Sequence, residues 1–328
     1  MPAFRESCLE AQSESQSGSA AKPLGVCLVS LVVGGLLAGC VQDPLTQTSN
    51  RARSALLAAG DPDSLAAAGL VNPRSTNEER LVLAARASGA APNRKDLAWL
   101  HLELCVRVDS CDVAPIEAQL HALDPGNAAV WSGSLARASK VDDTTRIEAI
   151  LTSMAAGERF DTYWNALVAH TASALIRTNV IDGATATVTA TEVVAVHALP
   201  YQPLAKGCGG KTLEQPKMLD TCRRLAAILR RSDTYTTEMF GQDLALRLWP
   251  KDSPEYREAT EERRVSHYRL DTENKLVGHF SGKEGSERYL QLLTAHKTEQ
   301  EVWLADITAS GLSPNPPPGW IDSGRAVR

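Results

Sequence analysis

Apolar residues along most of this chain recur three and four positions apart, and nowhere convincingly two apart. Asp142–Ala155 carries the pattern plainly. Ile147, Ile150, Leu151, Met154 and Ala155 share one stripe, as one buried helix face requires. Asp142 or Asp143 offers a carboxylate to cap its start. Gly157 stands just past its end, where a left-handed residue closes many helices. Thr76-Asn-Glu-Glu79, before Leu81, has the spacing of a capping box. Thr185–Thr191 is rich in Thr and Val, which suits a strand, but its Ala content and helical neighbours predict a helix. Leu199-Pro-Tyr-Gln-Pro-Leu204 interrupts the periodicity and marks a subdomain boundary. Beyond it the pattern predicts helices over Leu219–Ser232, Thr234–Trp249, Ser253–Phe280 with a break near Asp271, and Ser286–Ser310. Pro314-Asn-Pro-Pro-Pro-Gly-Trp320 lacks N–H donors at four positions and cannot be helical. It reads as an extended tail with Trp320 docked on the body, a groove ligand for another protein being the alternative.

The first half repeats itself. Trp99, Trp131 and Trp164 are separated by 32 and 33 residues, and Ile116-Glu-Ala-Gln-Leu120 returns 31 residues later as Ile147-Glu-Ala-Ile-Leu151. In both units an Ile-Glu-Ala helix leads through a Pro- or Gly-containing turn to a Trp-bearing helix. In Leu123-Asp-Pro-Gly-Asn-Ala-Ala-Val-Trp131, Pro125 would end one helix pair and Asn127 would cap the next. A period near 34 built of helix pairs resembles a divergent tetratricopeptide array. Trp99 and Trp164 are followed in register by Leu102 and Leu167, whereas Trp131 is followed by Ser134 and no unit carries the family's Gly. The resemblance implies an all-α fold of stacked helical hairpins, an α-solenoid, with Trp99, Trp131, Trp164, Ile116, Leu120, Ile147 and Leu151 as its repeat core. One helix pair cannot bury its apolar face alone, so neighbours must stack.

The N-terminus changes the picture. Pro23–Gln42 holds no charged side chain and is long enough to span a bilayer, so a plain anchor is one reading. The apolar run Leu24–Leu37 follows Lys22 and ends in Leu37-Ala38-Gly39-Cys40, which resembles a bacterial lipobox. That resemblance implies removal of residues 1–39 and a diacylglyceryl thioether on Cys40, the one covalent group expected, with no other cofactor. Residues 1–21 are long for a leader and carry Arg5 against Glu6, Glu10 and Glu14, so the true start of translation can lie downstream. Val41 stands where lipoproteins kept in the inner membrane often carry Asp, which favours the outer membrane facing the periplasm over the inner membrane. The expected organisation is a signal peptide (1–39), a lipidated tether (40–60), a helical repeat (61–198), a C-terminal helical region (199–313) and a Pro-rich tail (314–328).

The chain has 328 residues and a net charge of −5, which argues against nucleic acid as a partner. Of its seven Cys, four remain once Cys8 and Cys27 leave with the leader and Cys40 is lipidated. Exported chains pair such cysteines. Three connectivities are open; the local one, Cys105–Cys111 with Cys208–Cys222, asks least of the fold. No Cys-x-x-Cys and no zinc-like spacing occurs, so no metal site is expected.

No catalytic constellation stands out. The histidines (His101, His121, His170, His197, His267, His279, His296) lack metal-binding spacing, and His296 falls on the stripe of Tyr289, Leu293 and Trp303 as a boundary residue. The glycine-rich Gly207–Lys211 and Ser281–Ser286 lack the spacing of a phosphate loop, and Ser132-Gly-Ser134 lacks a nucleophile elbow. The favoured expectation is a protein- or peptide-binding or scaffold module of the cell envelope, more a docking protein than an enzyme. The alternative is a cell-envelope hydrolase whose acids converge only in space, with Glu103, Asp161 or Glu238 among them.

Overall fold

Short polar side chains set where the helices begin. Each accepts a backbone N–H that the first helical turn leaves free. Asp61 accepts from Ser64, Thr76 from Glu79, Asn127 from Ala129, Asp143 from Arg146, Asp182 from Thr185, Thr234 from Thr237 and Thr298 from Glu301. The computed structural model describes residues 44–197, 201–280 and 282–321. Among these the helices are α1 (Pro44–Ala59), α2 (Pro62–Leu70), α3 (Asn77–Ala90), α4 (Lys95–Val106), α5 (Ala114–Leu123), α6 (Ser132–Lys140), α7 (Thr144–Met154) and α8 (Trp164–Arg177). They continue as α9 (Gly183–His197), α10 (Gln202–Gly207), α11 (Pro216–Leu229), α12 (Tyr235–Leu248), α13 (Pro254–Leu276), α14 (Gly282–Ala295) and α15 (Glu299–Ala309). No strand occurs among the described residues; a lone bridge joins Asn127 to Arg159.

The fold is all-α and solenoid-like, with helices packed in consecutive pairs. α2 lies on α3, α3 on α4, α6 on α7, α8 on α9, and α11 on α12. The stack curls on itself, because α8 also packs on α2 and α4, α11 on α7, and α14 on α8 and α9. Residues from Pro44 onward cluster as one compact unit. Leu97, Trp99, Leu100, Leu102, Leu120, Leu151, Met154 and Leu175 are fully buried along its axis. Each such side chain contributes on the order of 1.5–3 kcal/mol relative to exposure.

The repeated motifs take unequal places. Ile116, Leu120, Ile147 and Leu151 are buried on α5 and α7. Trp99 is enclosed within α4, whereas Trp131 ends a 3-10 turn (Ala128–Trp131) and Trp164 opens α8, both half-buried. Trp131 meets the His121 ring edge-on at 4.2 Å. The Glu of the first Ile-Glu-Ala, Glu117, is buried, and its carboxylate accepts from the Ser134 backbone and hydroxyl. Its counterpart Glu148 is half-exposed.

Several boundaries differ from the sequence pattern. The expected tether is helical from Pro44, because Ala52 and Leu56 bury on one face of α1. Asp271 does not break α13; it pairs with Lys275 one turn on, and the helix ends at Leu276 in a 3-10 turn. The expected helix Ser286–Ser310 is two helices. Thr298 and Glu301 form a complete capping box that starts α15 anew. Gly157 is not left-handed. A side chain there would stand 3.0 Å from the Ala128 Cβ, so close approach is its reason. The Pro-rich tail is non-helical, and Trp320 rests edge-on against Tyr268 at 5.4 Å. The leader, the lipobox Leu37–Cys40 and residues 322–328 lie outside the described residues.

Candidate functional site

The starts of α2, α4, α8, α12 and α15, with the 3-10 turn before α6, are stitched into one polar seam. Arg94 binds Asp96 at 2.6 Å and reaches Asp63 at 3.1 Å. Lys95 lies 3.6 Å from Asp124, which also pairs with Arg159 and accepts from the Tyr163 hydroxyl at 2.8 Å. Asn127 holds Asp161 by its backbone, and Asp233 accepts from the backbone N–H groups of Thr162 (2.9 Å) and Trp164 (3.0 Å). Glu299 donates its N–H to the Asp233 carbonyl at 2.8 Å and accepts from Tyr235 N–H at 2.7 Å. Helix N-termini carry free N–H groups and a positive partial charge, which explains why acids gather here.

At the centre of the seam Asp161 and Asp233 form a carboxyl pair. Burial pushes Asp233 well above the usual carboxylate range, and the adjacent Asp161 adds to the shift. Asp161 also accepts from Tyr163 N–H at 2.7 Å. Tyr163 is left-handed (φ 57°), a strained backbone for an aromatic residue, and its ring edge faces Trp99 at 6.4 Å. Burial raises its hydroxyl pKa to about 12, so it stays a proton donor to Asp124.

Beside this pair a groove of about 520 Å³ runs between α8 and the C-terminal end of α14. Asp161, Tyr163, His170, Leu293, His296 and Lys297 line it, with Ala166 and Ala169. Asn165, also on its wall, is 2% exposed; its amide nitrogen donates to the His296 carbonyl at 2.9 Å, while its Oδ1 has no hydrogen-bond partner. His170 Nδ1 stands 3.7 Å from Asp63. The groove thus sets a carboxylate, two imidazoles and an ammonium around an apolar strip.

Of the three acids singled out in the sequence, only Asp161 reaches the groove. Glu103 is buried in α4. Glu238, in α12, accepts from Gln242 (2.9 Å), Gln300 (2.7 Å) and Ser266. His170 and His296 line the groove, whereas burial lowers the pKa of His101 and of His121. Tyr163, Asn165, Asp233 and Lys297 carried no local signal, because residues 161, 233 and 297 meet only through the curl of the stack. Cys105 is bonded to Cys111 and Cys208 to Cys222. The Arg137 guanidinium braces the first loop by donating to the carbonyls of Cys105, Val108 and Cys111. Among the described residues no group of three or more His, Cys, Asp or Glu could hold a metal, and no helix is long and apolar enough to cross a membrane.

Fold and site together define an all-α hairpin stack with a polar groove along its seam. Comparison with protein-family models, curated proteins and solved structures finds no match.

Proposed function

We propose that this chain is a lipoprotein anchored through Cys40 to the outer membrane, facing the periplasm, whose helical stack docks an envelope protein or peptide. The observation that carries the reading is Leu37-Ala38-Gly39-Cys40 at the end of an uncharged apolar run. Two or three acyl chains, at about 0.8 kcal/mol per buried methylene, anchor stably. Both disulfides suit an oxidising compartment. The divergent tetratricopeptide resemblance adds a fold type that presents extended binding surfaces. The docking place we assign is the groove. An extended peptide finds Lys297 and His296 for its acceptors, Asp161 for its donors, and Ala166, Ala169 and Leu293 for an apolar side chain.

A photo-crosslinking residue at Ala166 in intact cells tests this against one at exposed Glu255. A reproducible partner captured only from Ala166 is expected. Recovery of no partner, or of the same proteins from both positions, overturns it.

One observation favours a hydrolase, the Asp161–Asp233 carboxyl pair beside a groove with two histidines. Against it, Asp233 already accepts from Thr162 and Trp164. Its carboxylate acts first as the clasp of the α8 start.

A further inference from the structure

Two carboxyl groups are buried in the layer formed by α13, α14 and α15, those of Glu273 and Asp306, and Glu299 beside them is half-buried. Glu273 on α13 is 9% exposed, and its Oε2 has no hydrogen-bond partner. From α14 it faces Arg288 and Tyr289, and from α15 it faces Asp306 and Glu299. Arg288 is committed to Asp306, which is wholly enclosed. Glu299 faces Glu238 of α12, whose own charged neighbours on α13 are Arg269 and Glu262. A buried carboxylate without a cation favours its protonated form. Burial, reinforced by Asp306 and opposed by Arg288, raises Glu273 to about 8. Burial likewise raises Glu299 to about 7, against the hydrogen bond from Tyr235 and with repulsion from Glu238.

This layer is continuous with the groove. α14 ends at Ala295, and Leu293, Thr294, His296 and Lys297 form one groove wall. Two residues on, Glu299 N–H ties α15 to Asp233.

We propose that α13, α14 and α15 form a proton-controlled layer that packs tightly while Glu273 and Glu299 carry protons and loosens when they ionise, moving the Leu293–Lys297 wall of the groove. The proposal rests on the peptide-binding reading only for what is regulated; the loosening stands apart from it.

Hydrogen exchange of the full chain in detergent, corrected for intrinsic rates, tests it without any ligand. Protection of α14 and α15 should fall at least about tenfold between pH 5.5 and 8, while α2–α4 hold theirs. The double variant Glu273→Gln with Glu299→Gln should keep its low-pH protection at pH 8. A flat wild-type profile, or a double variant that still loosens, overturns the proposal. Should the double variant not fold, the single Glu273→Gln variant decides: its infrared band of protonated carboxyls at about pH 6.5 should be weaker than that of the wild type, and an unchanged band overturns the proposal. Partner capture at Ala166 is a separate readout, so failure of the docking reading would leave these results untouched.

Discussion

Asn127 grips Asp161 by both ends of its amide: Oδ1 accepts from the Asp161 N–H at 2.9 Å, and Nδ2 donates to the Asp161 carbonyl at 2.8 Å. The same Oδ1 caps the 3-10 turn at Ala129, and Nδ2 also reaches the Tyr163 hydroxyl at 3.1 Å. One 1%-exposed side chain therefore joins two inter-helix junctions. Asn127→Ala leaves buried groups unpaired, at about 1–3 kcal/mol each. Urea unfolding should show a loss of about 2–4 kcal/mol, and a change under about 0.5 kcal/mol would contradict the seam's structural role.

Gly241 marks where α12 crosses the end of α11. A Cβ there would stand 2.5 Å from the Arg230 nitrogen and 2.7 Å from the Leu229 carbonyl carbon. Backbone cannot swing aside as a side chain can. Gly241→Ala should destabilise the chain by about 1–3 kcal/mol despite its better helix propensity. Thermal unfolding that shows stabilisation would refute this crossing.

The two disulfides should differ in weight. They close loops of sequence separation 6 and 14. Loop entropy assigns about 2 kcal/mol to the shorter and about 3 kcal/mol to the longer. Arg137 holds the shorter loop independently of its bridge. Paired Cys→Ser variants, compared by denaturant titration, should show the Cys208/Cys222 variant as the weaker; the reverse order would count against the account.

Stability should depend on pH in a set direction. Glu273 at about 8 and Glu299 at about 7 both lie above their ordinary 4.5. Between roughly pH 4.5 and 8 the folded chain then binds more protons than the unfolded chain, so stability falls as pH rises. Tm should peak near pH 5 and decline by several degrees toward pH 8, at about 2–4 °C per kcal/mol. Glu273→Gln should flatten the slope. A Tm that climbs from pH 5 to 8 would be the opposite sign.

What the sequence made legible was local. Asp142 or Asp143, Thr76 and Asn127 each announce a helix start, because a short acceptor before an apolar stripe has a direct backbone use. The joint at His296–Thr298 was hidden, since apolar spacing continues across it through Leu293 and Trp303 while Thr298 does the stopping and restarting. The tether concealed a helix because, among its described side chains, only Ala52 and Leu56 bury. The groove was least legible. His296 and Asp161 were visible as residue types, but Lys297 joins them only because α14 folds back onto α8 and α9. A chain read in order cannot display that return.

The tether itself is tested most directly by metabolic palmitate labelling of the full chain beside its Cys40→Ala variant. The unchanged chain should take up label and be trimmed to begin at Cys40, and the variant should do neither. Label and trimming in the Cys40→Ala chain, or an unchanged chain that takes no label, would contradict the account.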